Sequence, residues 1–163
     1  MLGTNSLKKQ LMDEGFNIDS THPEYVVVGY DTELSYQKLR AACRYINDGV
    51  DILATHPDVF CPSEFGPLPD IGALLEMLKL TTGRTPKKVF GKPSQDMIEL
   101  LVEKFDIDPK RTVIVGDRLH TDILMARQAG CYGLLVLTGE TTRDQVEGSS
   151  VVPDFILQSV ADF

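Results

Sequence analysis

The sequence alternates between short apolar runs and amphipathic stretches, and this alternation constrains the fold more than any other feature. The runs 25–29, 51–55 and 112–116 have the length and the β-branched content of buried strands. Between such runs, apolar residues recur at helical spacing, as at Leu74 and Leu78. Strands that alternate with helices form mostly parallel sheets covered by helices. The sequence therefore predicts the α/β class.

The polar stretch 81–87 interrupts this alternation and predicts a connector between two subdomains. Before it lies a loop rich in proline and glycine, residues 56–69, which is long for a compact domain. After it the rhythm of strands and helices resumes at 88–90. We therefore expect one subdomain over residues 1–84 and a second over residues 85–163.

The charge balance excludes some classes of function. The 163 residues carry a formal net charge of −8, which argues against a nucleic-acid partner, because such proteins usually present a basic face. No apolar run approaches the roughly 18 residues that span a bilayer. The first residues lack the pattern of a signal peptide, so we expect a cytoplasmic protein without a membrane partner. A phosphorylated substrate remains compatible with the acidic charge, because a metal ion and one lysine can reverse the local field.

Three charged side chains follow the ends of predicted strands. Lys92 follows the strand 88–90, Asp117 follows the strand 112–116, and Asp122 comes five residues after Asp117. Ligand sites in parallel sheets lie beyond the carboxyl ends of the strands, so these groups would face one crevice. Magnesium prefers one or two carboxylates with water and substrate phosphate, and a nearby lysine can offset phosphate charge. The pattern predicts magnesium-assisted phosphoryl chemistry.

Each of these residues also fits a simpler role. Lys92 alone could be a solvated lysine, and Asp117 alone could be a turn residue. Asp122 alone could be a carboxylate in the first turn of a helix that we predict to begin at Thr121. Other signals are absent from the sequence: there is no Walker loop and no GxGxxG run. The histidines show no metal-ligand spacing; they are His22, His56 and His120.

At Gly91-Lys92-Pro93-Ser94 and at 116–122 the sequence resembles the haloacid dehalogenase-like hydrolases. It is most similar to the branch of NagD-like, phosphoglycolate and 4-nitrophenyl phosphatases, which carry a large α/β cap. The stretches 54–58 and 135–139 fit the same branch. The resemblance implies part of a doubly wound, Rossmann-like parallel sheet together with an α/β cap subdomain. Residues 1–84 would then be most of the cap and residues 85–163 the C-terminal half of the core.

The resemblance also implies roles for individual residues. Lys92 matches the catalytic lysine of the family, Asp117 its ligand for Mg²⁺, and Asp122 the supporting carboxylate. The cap loop that contacts substrate in the family matches Thr55, His56 and Asp58. The implied activity is that of a phosphoric monoester hydrolase that acts on small phosphorylated metabolites through an aspartyl-phosphate intermediate.

One expected feature of the family is missing from the sequence. Members begin with a strand ending in DxDG, whose first aspartate is the nucleophile, and this motif does not occur here. The pair Asp106 and Asp108 precedes a proline and fits a turn, and Asp31 has no second aspartate two residues on. We therefore expect a C-terminal portion that is inactive alone and binds metal weakly. An incomplete core would expose a sheet edge, so we expect a homo-oligomer or pairing with a missing N-terminal segment.

Two other functions remain as alternatives. The first is a non-catalytic binding or regulatory module derived from such a phosphatase, which would share the same motifs. The second is a receiver-like phosphoacceptor domain, which also joins acidic residues to a lysine. In that class the lysine follows the acids along the chain, whereas Lys92 precedes Asp117, and this order argues against it.

Overall fold

The computed structural model describes residues 1–18 and 20–162, and the chain divides into two compact units. The first unit is Met1–Phe90 and the second is Gly91–Phe163. Each contains a three-stranded parallel sheet with helices. The predicted α/β class is confirmed.

The first unit is built on strands β1 (Tyr25–Val28), β2 (Asp51–Ala54) and β5 (Lys88–Val89), which pair in the order β1-β2-β5. All pairs are parallel. Leu2 forms a parallel bridge with Val28 on the other side of β1, and its side chain is fully buried. The start of the chain is therefore part of this unit's core.

Three helices accompany this sheet: α1 (Asn5–Asp13), α2 (Tyr36–Asn47) and α3 (Ile71–Thr82). Ser35 caps α2 by accepting a hydrogen bond from an N–H in its first turn. Gly83 ends α3 in a left-handed conformation. The apolar faces of α2 and α3 pack against the strands in a single core, whose buried members are Leu2, Val26, Val28, Ala42, Ile46, Ile52, Ala54, Ile71, Leu74 and Leu78.

The predicted loop 56–69 contains a small hairpin. Strands β3 (Phe60–Cys61) and β4 (Leu68–Pro69) pair antiparallel within it. The rest of the segment is a loop, as predicted, and the hairpin was not foreseen because two-residue strands are too short to show an alternating pattern in the sequence.

Strand β5 belongs to the first unit, although the sequence analysis grouped it with the strands that follow. Its hydrogen bonds join it to β2, with Leu53 opposite Lys88 and Ala54 opposite Val89. The division between the units consequently falls after Phe90. The assignment of cap to residues 1–84 and of core to residues 85–163 stays a prediction.

The second unit contains strands β6 (Val113–Gly116), β7 (Tyr132–Val136) and β8 (Phe155–Leu157), which pair parallel in that order. Its helices are α4 (Asp96–Phe105), α5 (Leu124–Gln128) and α6 (Arg143–Glu147). The α6 helix begins with a capping box between Thr142 and Gln145. The buried apolar residues of the second unit form two clusters. One includes Ile98 and Met125, and the other includes Ile123 and Leu135.

The segment after β6 begins its helix earlier than predicted. Leu119–Ile123 forms one turn of π-helical geometry that runs directly into α5. The N–H of Ile123 donates to the carbonyl of Arg118 at 3.3 Å, five residues back. Thr121 therefore caps nothing, and Asp122 lies inside the wide turn. Such wide turns are frequent at functional sites.

The residue before α4 is Gln95, which makes no capping hydrogen bond with its side chain. The hydroxyl of Ser94 instead donates to the carboxylate of Asp96, in the first turn.

Among the helices of the described residues, none combines the length and the apolar character that a bilayer crossing needs.

Candidate active site

Asp117 directly follows β6, and the chain around 139–141 wraps onto it. The N–H of Glu140 donates to Asp117 Oδ2 at 2.9 Å, and the N–H of Thr141 donates to the Asp117 carbonyl at 3.2 Å. Gly139 packs so closely that a Cβ there would overlap the Asp117 side chain. Glycine is thus required at 139 by a close approach, and the result is a carboxylate with one oxygen held by backbone.

Asp122 is almost fully buried, with 4% of the residue exposed. Its carboxylate packs on the backbone of Gly116, where a Cβ would overlap it. The N–H of Arg118 donates to Asp122 Oδ2 at 3.2 Å, and Lys92 Nζ lies 2.7 Å from Asp122 Oδ1. A buried carboxylate needs such partners, because an uncompensated charge in a protein interior is costly. Both oxygens of Asp122 are therefore engaged within the protein.

Lys92 lies in a tight turn at the start of the second unit. Gly91 has a left-handed φ of 80°, and the N–H of Ser94 donates to the Gly91 carbonyl at 2.9 Å. The peptide between Lys92 and Pro93 is cis. The side chain of Lys92 is about half exposed although its amine contacts a buried acid. Its ammonium therefore has one face on Asp122 and another open to a ligand.

A charged pair that the sequence analysis did not single out borders the same site. The guanidinium of Arg118 donates to the carboxylate of Glu140. Residues 118 and 140 lie 22 positions apart, so no local spacing indicates their contact. The sequence shows only that Arg118 directly follows Asp117.

The oxygen atoms around Asp117 can be compared with the ligands that a magnesium ion prefers. Asp117 has one carboxylate oxygen bonded to the Glu140 N–H, which leaves the second oxygen as a ligand atom. The carboxylate of Asp122 is paired with the ammonium of Lys92. Among the residues that the structure describes, no three His, Cys, Asp or Glu side chains lie close enough together to hold a metal ion. The residues fit a hard, oxygen-coordinated ion held through one carboxylate, with the remaining ligands from water and phosphate.

The predicted cap-loop residues lie in the first unit, after β2. His56 Nδ1 is 3.9 Å from Asp58 Oδ2, and His56 Nε2 is 3.7 Å from Asp70 Oδ1. Both distances are too long for hydrogen bonds. Within the described part of the chain, the buried Nδ1 has no hydrogen-bond partner. This histidine thus has unused hydrogen-bonding capacity.

A cavity of about 360 Å³ adjoins this histidine. Its lining residues are Thr4, Ser6, Leu7, Gln10, Tyr30, Thr55 and His56. Burial raises the pKa of Tyr30 above its usual value, and the neighbouring Cys61 and Asp70 raise it further. The phenol is therefore held in its neutral form.

The two sequence elements rejected as nucleophiles have structural roles. The Asp31 side chain is fully buried, and it accepts hydrogen bonds from Lys38 Nζ at 2.9 Å and from the Gly3 N–H at 2.9 Å. Asp106 ends α4 with a left-handed φ of 52°, and Asp108 caps the short turn before β6. These contacts account for the three aspartates without a catalytic role.

Comparisons with known proteins place the chain in a family. The HAD-hydrolase-like sequence family matches residues 89–163. The chain is 40% identical to glycerol-3-phosphate phosphatase of Gallus gallus over 84% of its own length and 47% of the relative. It is 35% identical to human chronophin over 99% of its own length and 60% of the relative. The chain thus spans about half to three fifths of the curated relatives it matches.

Solved structures give the same result. The 4-nitrophenylphosphatase of Thermotoga maritima superposes with a TM-score of 0.90 at 41% identity, over 96% of this chain and 60% of that one. NagD of E. coli superposes with a TM-score of 0.89 at 33% identity, over 99% of this chain and 63% of that one. With these likenesses and the contact between Lys92 and Asp122, the chain belongs to the haloacid dehalogenase-like hydrolases, in the branch of NagD and the 4-nitrophenyl phosphatases.

Proposed function

We propose that this chain carries the magnesium- and lysine-bearing part of a phosphatase that acts on small phosphorylated metabolites. The observation that carries the proposal is the 2.7 Å contact of Lys92 Nζ with the buried carboxylate of Asp122. It lies beside Asp117, at the carboxyl end of a parallel strand, where ligands of such sheets bind. Several curated relatives of the chain are phosphatases.

Lys92 would bind the phosphate. Asp122 holds the ammonium in place, so its charge is already oriented when an anionic group arrives. Preorganised charge of this kind stabilises negative charge in the transition state without further rearrangement. Asp122 itself would be a positioning residue, because both of its oxygens are engaged by Lys92 and by the N–H of Arg118.

Asp117 would hold Mg²⁺ through the oxygen that Glu140 leaves free. When bound, Mg²⁺ orients phosphate oxygens and screens their charge. The N–H of Glu140 fixes the orientation of the carboxylate, and outer contacts of this kind tune metal affinity. Affinity would be weak in this chain, since it supplies one carboxylate.

Thr55, His56 and Asp58 would contact the part of the substrate beyond the phosphate. The cavity beside His56 supports this, because the hydroxyl-bearing residues Thr4, Ser6, Tyr30 and Thr55 are among those that line it. We propose a cytoplasmic setting, with no nucleic-acid or membrane partner.

The nucleophile is not supplied by this sequence. In the proposed reaction an aspartate attacks phosphorus, and water then hydrolyses the aspartyl-phosphate. The sequence contains no DxDG, so the chain alone is proposed to lack turnover. The same absence favours a second candidate, a binding or regulatory module that retains the phosphate site.

The test combines turnover with binding. Wild type and Asp117→Asn are assayed with 4-nitrophenyl phosphate, and Mn²⁺ binding is followed by electron paramagnetic resonance as a substitute for Mg²⁺. We expect negligible turnover and weak Mn²⁺ binding that Asp117→Asn abolishes. Turnover that scales with pure wild-type protein and disappears in the variant would refute the inactivity. Equal Mn²⁺ binding by both proteins would refute the role of Asp117.

Self-association is a further part of the proposal. Strand β6 has a strand neighbour on one side only among the described residues, and Val115 on it is 46% exposed. An exposed apolar edge strand promotes pairing with another chain. We expect a dimer or larger species in light scattering that Val115→Lys reduces, while Val152→Lys, at a position 58% exposed and outside the strands, does not. A monomeric wild type would contradict this.

A further inference from the structure

Glu140 is held at two points beside the candidate metal ligand. Its backbone N–H donates to Asp117 Oδ2 at 2.9 Å. Its carboxylate accepts a hydrogen bond from the guanidinium of Arg118. The backbone contact orients Asp117, and the side-chain contact anchors the residue that makes it.

Arg118 also contacts the other acid of the site. Its backbone N–H donates to Asp122 Oδ2 at 3.2 Å, while its side chain reaches Glu140. One residue therefore connects the turn at 139–141, which holds Asp117, to the wide turn that holds Asp122. No residue type or spacing in the sequence indicates this connection.

The turn at 139–141 requires such an anchor. Thr141 is buried, but Thr138, Gly139 and Glu140 are all exposed, so packing contributes little to the order of these three residues. Gly139 cannot be replaced by a more restricted residue, because a Cβ would overlap Asp117. A glycine in an exposed turn leaves the backbone free to move. A charge pair across the turn supplies the missing restraint.

We infer that Arg118 and Glu140 are positioning residues: their ion pair keeps the Glu140 N–H on Asp117 Oδ2, so that the other oxygen of Asp117 faces a divalent cation. The inference deepens the proposed function and rests on it for the cation. The opposing interpretation is a surface ion pair with no effect on Asp117. The two interpretations differ in what happens to the Glu140 N–H when the pair is removed.

The first measurement needs no metal. Solvent exchange of the amide at residue 140 is measured by NMR in wild type, Glu140→Gln and Asp117→Asn. We expect exchange to rise about twofold to fivefold in Glu140→Gln, the factor that corresponds to losing one exposed ion pair. Asp117→Asn should raise it as well, because the acceptor loses its charge. The matched control is Glu76→Gln, which removes an exposed partner of Lys79 in the first unit and should leave residue 140 unchanged.

Charge exchange provides the rescue. The double variant Arg118→Glu/Glu140→Arg restores a pair of opposite charges and should return the exchange rate of residue 140 to within about twofold of wild type. If the ion pair has no effect on Asp117, the exchange rate of residue 140 will not depend on restoring the pair. If Glu140→Gln loses its folded circular-dichroism signal, Arg118→Gln breaks the same pair from the other side.

The second measurement uses Mn²⁺ alone, followed by electron paramagnetic resonance. We expect the dissociation constant of Glu140→Gln to rise by up to about tenfold, the low end of outer-contact effects, and that of the charge-exchanged protein to recover. Unchanged exchange and unchanged affinity in Glu140→Gln, while Asp117→Asn abolishes binding, would overturn the positioning role and leave the proposed function standing. Equal binding by wild type and Asp117→Asn would overturn the proposed metal role, and the exchange data would still decide whether the pair orders the turn.

Discussion

Two acidic loops follow apolar strands of this protein, and they are held in different ways. The loop at 117–122, after β6, has its carboxylates fixed by a lysine, by backbone N–H groups and by glycine contacts. In the loop at 55–58, after β2, His56 lies 3.9 Å from the carboxylate of Asp58 and 3.7 Å from that of Asp70, the residue that precedes α3. The buried Nδ1 of His56 has no hydrogen-bond partner among the described residues. The carboxylates of the first loop have partners within the protein, whereas the histidine of the second loop has hydrogen-bonding capacity that the described residues do not use.

The largest expected effect is at the glycine beneath Asp122. Gly116→Ala places a methyl group against the Asp122 carboxylate, and overpacking of this kind costs about 1–3 kcal/mol. Chemical denaturation should show the loss, and Mn²⁺ binding should weaken because Asp122 and the adjoining turn must shift. Gly148→Ala, where the nearest atom would be 3.8 Å away, is the matched control and should be neutral. A neutral Gly116→Ala would show that the 117–122 loop is not rigid.

The next largest effect on stability concerns Lys92, whose ammonium group pairs with Asp122. Lys92→Met leaves a buried carboxylate with one fewer partner, and a hydrogen bond to a charged group contributes about 1.5–3 kcal/mol. Since Lys92 is about half exposed and water can replace it, we expect a loss below that range, about 1 kcal/mol, in thermal unfolding. Lys9→Met removes an exposed pair with Asp13 and should change stability by a few tenths of a kcal/mol at most. Equal losses of stability in Lys92→Met and Lys9→Met would show that a lysine contributes no more beside a buried acid than beside an exposed one.

An exposed ion pair at the start of β2 predicts a smaller dependence on pH. A hydrogen bond from Lys87 at 2.8 Å lowers the pKa of Asp51 below its usual value of 3.8. A lowered pKa in the folded state means that the stabilisation is present above the usual value and is lost as the pH falls through the lowered one. The melting temperature should therefore decline in acid, and Lys87→Met should flatten that part of the profile. An identical profile in the variant would exclude this pair as its source.

The smallest effect is expected at the histidine of the first loop. His56→Asn removes a side chain whose contacts to Asp58 and Asp70 exceed hydrogen-bond length, so stability should change by no more than about 0.5 kcal/mol. Thermal unfolding provides the measurement. A large loss would mean that His56 supports the fold, and the contrast between a completed loop and an open one would then fail.

Sequence reasoning performed best where the signal was local. The strand runs of the β1, β2 and β6 segments were predicted within a residue or two, because a short apolar run is a local signal. It failed for the hairpin within 56–69 and for the helix start at Leu119. Two-residue strands and a π-helical turn carry no periodic signature, and tertiary contacts decide them.

By itself, the sequence determined the α/β class and the positions of Lys92, Asp117 and Asp122 relative to strand ends, since both follow from residue type and spacing. Only the tertiary structure decided that β5 pairs with β2, that Asp122 is buried against Gly116, and that Arg118 reaches Glu140. Those contacts join residues distant in the chain, and their free energy depends on burial and on the geometry of partners that no local pattern encodes.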